Sequence, residues 1–166
     1  ILIALIALLA APWLAAQGDP LVEALRKYQA GELAEAMTLV DQAVRTPEHT
    51  EDPEAWLLRG FVYKDTYKTA SPVGKADVFR DEALASLFTC MALDTAGTYR
   101  ENAKQAYDFL ARSYFNDAAK ALNDMDETRA LQMFSKYKEA AFRLDPKVDL
   151  KTREVEFTYT HKKQTG

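Results

Sequence analysis

The fold of this chain is decided by Ala55-Trp56-Leu57-Leu58-Arg59-Gly60-Phe61-Val62-Tyr63. Because an α-helix has about 3.6 residues per turn, Trp56, Gly60 and Tyr63 fall on one stripe of a helix. The small residue lies between the two aromatic residues, where a partner helix can approach the backbone closely. The stretch therefore predicts a helix that packs against a second helix.

A similar pattern returns in Tyr107-Asp108-Phe109-Leu110-Ala111-Arg112-Ser113-Tyr114, where an aromatic residue, a small residue and a tyrosine have the same offsets. We therefore expect Trp56 and Tyr107 to be buried between pairs of helices. Gly60 and Ala111 are expected to be positions of close contact between helices. A helix with so narrow a face cannot bury its aromatic residues alone, so the two copies predict helical hairpins that stack on one another.

Composition excludes several classes of protein. The chain has 166 residues, with 48% hydrophobic and 11% aromatic content, which is typical of a folded domain or a short repeat array. A net charge of −4 and the lack of a basic run argue against a nucleic-acid partner. Cys90 is the only cysteine, so a disulfide within the chain is impossible.

The first sixteen residues are apolar and predict export. Residues 1–16 are short of the roughly 20 that a membrane-spanning helix needs, and Pro12 interrupts them. Small residues at Ala15 and Ala16 precede turn-forming residues, as at a signal-peptide cleavage site. We therefore predict a signal peptide over 1–16 and an exported protein of the periplasm or cell envelope, with secretion also open. The alternatives are an uncleaved segment that associates the protein with a membrane, and a buried first helix.

Apolar residues that recur every three or four positions predict six helices and no strand before residue 150. The predicted helices are 20–31, 33–44, 53–68, 76–93, 100–122 and 127–144, with a loop over 69–74. The last residues, 149–166, favour the start of a further helix, although Val155-Glu156-Phe157-Thr158-Tyr159-Thr160 is rich in strand formers. A strand or a frayed tail therefore stays open there.

The two aromatic signatures, together with Leu144-Asp145-Pro146 at the end of the last hairpin, resemble the tetratricopeptide-repeat family. The resemblance covers roughly residues 20–146, and Arg59 stands where leucine is usual. It implies an all-α solenoid of about three repeats over 17–148, followed by the start of a further repeat or a truncated tail. The spacing from Trp56 to Tyr107 is 51 residues, against about 34 in the family. We assign about eleven of the extra residues to the loop around Ser71-Pro72.

In this family the first helix of each repeat lines the concave face and contacts the partner. The resemblance implies these partner-binding positions here: Tyr28, Leu57, Phe61, Lys64, Arg112 and Phe115. Their aromatic and cationic side chains suit a protein or extended peptide with apolar residues near carboxylates. The alternative for both phenylalanines is packing between repeats. Some family members hold a terminal carboxylate, but the corresponding places carry Leu21, Leu25, Leu58, Gln105 and Phe109, so that clamp is not implied.

Catalytic motifs were not found. His49 lies in a turn, where a solvated histidine is expected, and Cys90 lies on an apolar stripe, as a small buried hydrophobic residue would. The acidic residues over 123–127 lack the glycine and spacing of a calcium loop. We therefore expect a non-catalytic binding scaffold without metal, cofactor or small-molecule substrate. The alternatives are a membrane-anchored assembly subunit of an envelope complex and an accessory domain of a longer enzyme.

Overall fold

The chain is all-α, as predicted. The computed structural model describes residues 18–70 and 73–151, which form six helices. They are α1 Pro20–Gln29, α2 Leu33–Ala43, α3 Pro53–Thr69, α4 Val73–Leu93, α5 Arg100–Asn123 and α6 Glu127–Leu144. The helices pack as antiparallel pairs α1–α2, α3–α4 and α5–α6, and the pairs stack through α2–α3 and α4–α5. The prediction of stacked helical hairpins is therefore confirmed.

Aspartate side chains fix where three of the helices begin. Asp19, Asp52 and Asp126 precede α1, α3 and α6, and each accepts a hydrogen bond of 2.8–3.0 Å from a backbone N–H of the first turn. These N–H groups have no partner within the helix, so the caps stabilise the helix starts. Pro20 and Pro53 occupy the first helical position, where a missing N–H costs nothing.

Two apolar cores hold the pairs together. The smaller core joins α1, α2 and α3, and consists of Ala24, Ala36, Val40, Leu58 and Val62. The larger core joins α3, α4, α5 and α6. Tyr107 lies within it with 1% of its surface exposed, which confirms its predicted burial, and Cys90 is fully buried there. Trp56 differs from the prediction because it is only partly buried: its indole N–H donates to the Thr50 carbonyl at 2.9 Å, at the edge of the core.

Gly60 is a point of close approach between α3 and α4. It is buried, and a Cβ added there would lie 2.6 Å from the Leu87 side chain. The absence of a side chain at position 60 is therefore what allows Leu87 to pack onto the backbone of α3. Ala111 is also buried, with 5% exposure. Both small positions serve helix packing, as the sequence pattern predicted.

Replacement of Gly60 by leucine should destabilise the protein by about 1–3 kcal/mol because the added side chain overpacks the α3–α4 contact. This loss should exceed the roughly 1 kcal/mol that leucine gains over glycine in helix propensity. Urea melts of Gly60→Leu measure the effect. The same substitution in a Leu87→Ala background should cost less, since the colliding side chain is gone. A Gly60→Leu variant as stable as its parent would contradict the assigned contact.

The connection between α3 and α4 departs from the prediction of a loop over 69–74. Helix α3 ends at Thr69 and α4 begins at Val73, three residues before the predicted start. Residues beyond the family's usual length therefore extend these helices to 17 and 21 residues instead of forming a long loop. Contacts of Asp77 and Arg80 with α5 and α6 hold the first turns of α4 in place. Ser71 and Pro72 lie outside the described residues.

The predictions for the two chain termini, a signal peptide and a further helix, are not tested by the described residues. Leu150 is buried after the turn that follows α6, and Lys151 is the last residue described. The predicted signal peptide over 1–16 and nearly all of the predicted tail lie outside the described residues. Within 18–70 and 73–151, none of the helices is both long and apolar enough to cross a membrane.

Candidate functional site

A groove of about 340 Å³ lies between α3 and α5, the first helices of the second and third pairs. The two helices are neighbours because α4 returns the chain antiparallel to α3, so that α5 starts beside α3 again. The groove is lined by Phe61, Lys64, Lys68, Asn102, Gln105, Ala106 and Phe109. It therefore lies between two of the first helices that the family resemblance implied as the binding face.

The apolar part of the groove consists of two phenylalanines and an alanine. Phe61 is partly buried and packs against the larger core, while Ala106 belongs to that core. Phe109 points outward from α5, with 48% of its surface exposed. A large exposed aromatic side chain next to a concave surface is the kind of residue that anchors protein partners.

The polar part of the groove is positively charged. Lys64 Nζ lies 4.7 Å from the centroid of the Phe61 ring and 3.5 Å from Asp65 Oδ1. Lys68 Nζ is 3.6 Å from the same Oδ1, so two lysines share one carboxylate at long range. Partial burial opposes the ionisation of Asp65, but the Tyr28 hydroxyl and these lysines outweigh burial and lower its pKa. The pair of lysines keeps an excess of positive charge.

Three of the predicted partner-binding residues lie at or beside the groove. Phe61 and Lys64 line it, and Arg112 is exposed on the face of α5 that carries Phe109, one turn further along. The prediction omitted Phe109 and Lys68. Helical spacing could have identified both as residues of the groove. Lys68 lies one turn after Lys64, and Phe109 lies one turn before Arg112.

The other three predicted residues take part in packing. The Tyr28 hydroxyl donates to Asp65 Oδ2 at 2.6 Å and so joins α1 to α3. Burial and the Asp65 carboxylate raise the pKa of Tyr28. Leu57 lies in the larger core with 9% exposure. Phe115 faces α6, where its ring centroid is 6.1 Å from that of Phe134 and 5.4 Å from that of Tyr137.

Away from the groove, the described residues include one buried thiol, that of Cys90. Burial raises the pKa of the Cys90 thiol to about 11, so little of the reactive thiolate forms near neutral pH. Within the part of the chain that the structure describes, no three His, Cys, Asp or Glu side chains are placed to hold a metal ion.

The structure corrects the prediction that the His49 side chain is solvated. It is 15% exposed and contacts Asp19 and Asp52, because the acidic caps of α1 and α3 meet at its turn.

The groove thus combines an exposed aromatic ring, two lysines and two amide side chains on adjacent first helices. Ammonium and amide groups can donate hydrogen bonds to carboxylates, and an exposed aromatic ring can contact apolar side chains. The chain matches no protein-family model, no curated protein and no solved structure.

Proposed function

We propose that this chain is an exported, non-catalytic helical-repeat scaffold that binds a protein or an extended peptide in the groove between α3 and α5. The observation that carries the proposal is the groove itself, which places Phe109 and Lys68 beside the predicted residues Phe61 and Lys64. An extended segment suits a groove bounded by two adjacent helices.

Membership of the tetratricopeptide-repeat family is part of this proposal. It is supported by the stacked antiparallel pairs and by the close contact at Gly60, where the family has a small residue. The neighbouring positions of α1, α3 and α5 also support it, since first helices line one face in such arrays. The extended α3 and α4 make the second pair longer than the family's usual repeat.

The chemistry of the groove favours a partner segment with an apolar side chain next to one or more carboxylates. Phe61 and Phe109 offer apolar contact, and two lysines exceed the one carboxylate that they share. A carboxylate from the partner would replace the long contacts to Asp65 with shorter charge-assisted hydrogen bonds. An acidic segment would also be attracted before contact, and this attraction would weaken as salt is added.

Substitution of Phe109 or Lys68 by alanine should weaken binding by about 1–3 kcal/mol, the range of moderate interface anchors. The probe is a fluorescein-labelled peptide that alternates leucine and glutamate, measured by fluorescence anisotropy. A peptide of equal length that alternates leucine and lysine serves as the charge control and should bind more weakly.

Matched variants keep this prediction specific. Phe142→Ala controls for Phe109→Ala because Phe142 is a phenylalanine with similar exposure, 45% against 48%, on α6. Lys120→Ala controls for Lys68→Ala, since Lys120 is also an exposed lysine outside the groove. Equal losses in the control and groove variants, or tighter binding of the lysine peptide, would refute the groove as the binding site. For a natural partner captured from envelope extract, the groove variants should likewise bind more weakly than the control variants.

Export is a separate part of the proposal and rests on the apolar residues 1–16. Mass spectrometry of the mature N-terminus tests it. A mature chain that begins at Gln17 supports cleavage and an exported scaffold. A chain that retains residues 1–16 supports the second candidate, a membrane-anchored assembly subunit, with the same groove as its binding surface.

A further inference from the structure

His49 connects the starts of two helices. It lies in the turn between α2 and α3, where Nε2 is 2.9 Å from Asp19 Oδ1 and Nδ1 is 3.3 Å from Asp52 Oδ2. Asp19 caps α1 and Asp52 caps α3, so each carboxylate accepts from both a helix N–H and the imidazole ring. The backbone of the turn is held by hydrogen bonds from His49 N to Thr46 O and from Asp52 N to His49 O, both 3.2 Å.

Each ring nitrogen of His49 faces a carboxylate oxygen, an arrangement that suits a proton on both nitrogens. A neutral imidazole has one N–H and can donate to only one carboxylate, which leaves the lone pair of its other nitrogen facing a negatively charged oxygen. The imidazolium ion donates to both. We propose that His49, Asp19 and Asp52 form a protonation-dependent latch that ties the start of α1 to the start of α3, and thereby the first helix pair to the second.

The charges around the ring set the sign of the effect. Burial alone would lower the pKa of His49, but the hydrogen bonds and charges of Asp19 and Asp52 outweigh burial and raise it. Asp19 at the start of α1 and Asp52 at the start of α3 thus each contribute one carboxylate to the ring. The charge of Asp52 also acts on α4 and on the turn before α5, where it helps to raise the pKa of Cys90 and of Tyr99.

The latch should therefore hold in mildly acidic solution, where aspartates are ionised and histidine is protonated, and should weaken as the imidazole loses its proton. In the unfolded chain a histidine has a pKa of about 6.5. Because the folded pKa is higher, the stabilisation is fully present below the unfolded value and is lost as pH rises through the folded value. The opposite end of α1 is joined to α3 by the Tyr28–Asp65 hydrogen bond, which does not titrate in this range. Loss of the latch would thus release the start of α1 while its end stays attached.

Nuclear magnetic resonance of the histidine rings tests the latch in the full chain. The His49 signal is assigned by its loss in His49→Gln, and its midpoint is compared with that in the urea-unfolded chain. Asp19→Asn and Asp52→Asn are matched variants, because asparagine caps a helix as well as aspartate but carries no charge. We expect a higher midpoint in the folded parent and a lower one in each variant. Equal folded and unfolded midpoints would overturn the proposal.

Hydrogen exchange reports the structural consequence. After correction for the intrinsic pH dependence of exchange, protection of the α1 amides in the parent should fall several-fold as pH rises through the His49 midpoint. In His49→Gln, which donates only through its amide, α1 protection should be low and independent of pH. Protection in the parent that does not change across the midpoint, or that changes equally in His49→Gln, would show that the histidine does not hold α1.

Discussion

Replacement of Arg80 by alanine is expected to lower the free energy of unfolding by about 3–5 kcal/mol, because it removes one partner of a buried ion pair. Arg80 is fully buried in α4. Its guanidinium group lies 2.5 Å from Asp77 Oδ1 and 2.9 Å from Asp117 Oδ2. Without the arginine, the Asp77 and Asp117 carboxylates, which are 14% and 27% exposed, would lose this positive neighbour. Urea melts at neutral pH measure the loss, and a value below about 1 kcal/mol would contradict this account.

The surroundings of Arg80 explain why lysine should not replace it. The guanidinium carbon lies 3.6 Å from the centroid of the Tyr114 ring, and Nη1 donates to Ser113 Oγ at 2.9 Å and to the Tyr67 hydroxyl at 3.1 Å. A lysine keeps the charge but lacks the planar fork that reaches several acceptors at once. The Arg80→Lys variant should therefore be more stable than Arg80→Ala but less stable than the parent.

A second set of variants separates stranded charge from lost packing. Arg80→Met fills much of the volume but leaves Asp77 and Asp117 without their arginine. Combining it with Asp77→Asn and Asp117→Asn removes those charges, so the combination should recover part of the stability lost in Arg80→Met. Asp77 also pairs with Arg129 of α6 at 3.0 Å, so recovery should be incomplete. No recovery would mean that Arg80 acts through packing alone.

Truncation of Tyr107 to alanine should cost about 3–5 kcal/mol because it opens a cavity in the larger core. Its ring is 1% exposed, and its hydroxyl donates to the Ala140 carbonyl of α6 at 3.0 Å. Tyr107→Phe retains the ring and should cost only about 0.5–1.5 kcal/mol for the hydrogen bond. Trp56→Ala should cost less than Tyr107→Ala because Trp56 is only partly buried. Thermal or urea melts that reverse this order would contradict the deeper burial of Tyr107.

The helices could be predicted because their signals are local. Apolar spacing, the aspartate caps and the prolines at the first helical positions all act within one or two turns. Gly60 was predictable for the same reason, since its place between two large residues is visible in the sequence. The start of α4 was missed because residues 69–74 look like a loop, and the contacts that hold its first turns come from α5 and α6.

Contacts between distant residues explain what the sequence did not predict at the candidate site. The rotation of α5 buries Ala103 and Leu110, leaves Phe109 exposed at the groove and turns Phe115 toward α6. Repeat register alone does not determine that rotation. Likewise, His49 contacts Asp19, which lies thirty positions earlier in the chain, and no local sequence pattern predicts this contact.

Arg59 shows the same dependence on distant partners, at a position where the sequence departs from the repeat pattern that it resembles. It stands where leucine is usual, yet its side chain is mostly buried. Its guanidinium group pairs with Asp41 of α2 at 2.8 Å and with Glu82 of α4 at 2.9 Å, and it lies 4.4 Å from the centroid of the Tyr63 ring. An arginine can replace an apolar residue here because two neighbouring helices supply its acceptors.

The two arginines have a mechanical consequence. Arg59 spans the junction of the first and second pairs, and Arg80 spans the junction of the second and third. Apolar burial is non-directional, so it fixes the register between neighbouring pairs less strictly than hydrogen-bonded ion pairs do. A slide of one helical turn, about 5.4 Å, would separate these guanidinium groups from their carboxylates and leave buried charges behind. Each of the two junctions should therefore resist sliding until its own arginine pairs break.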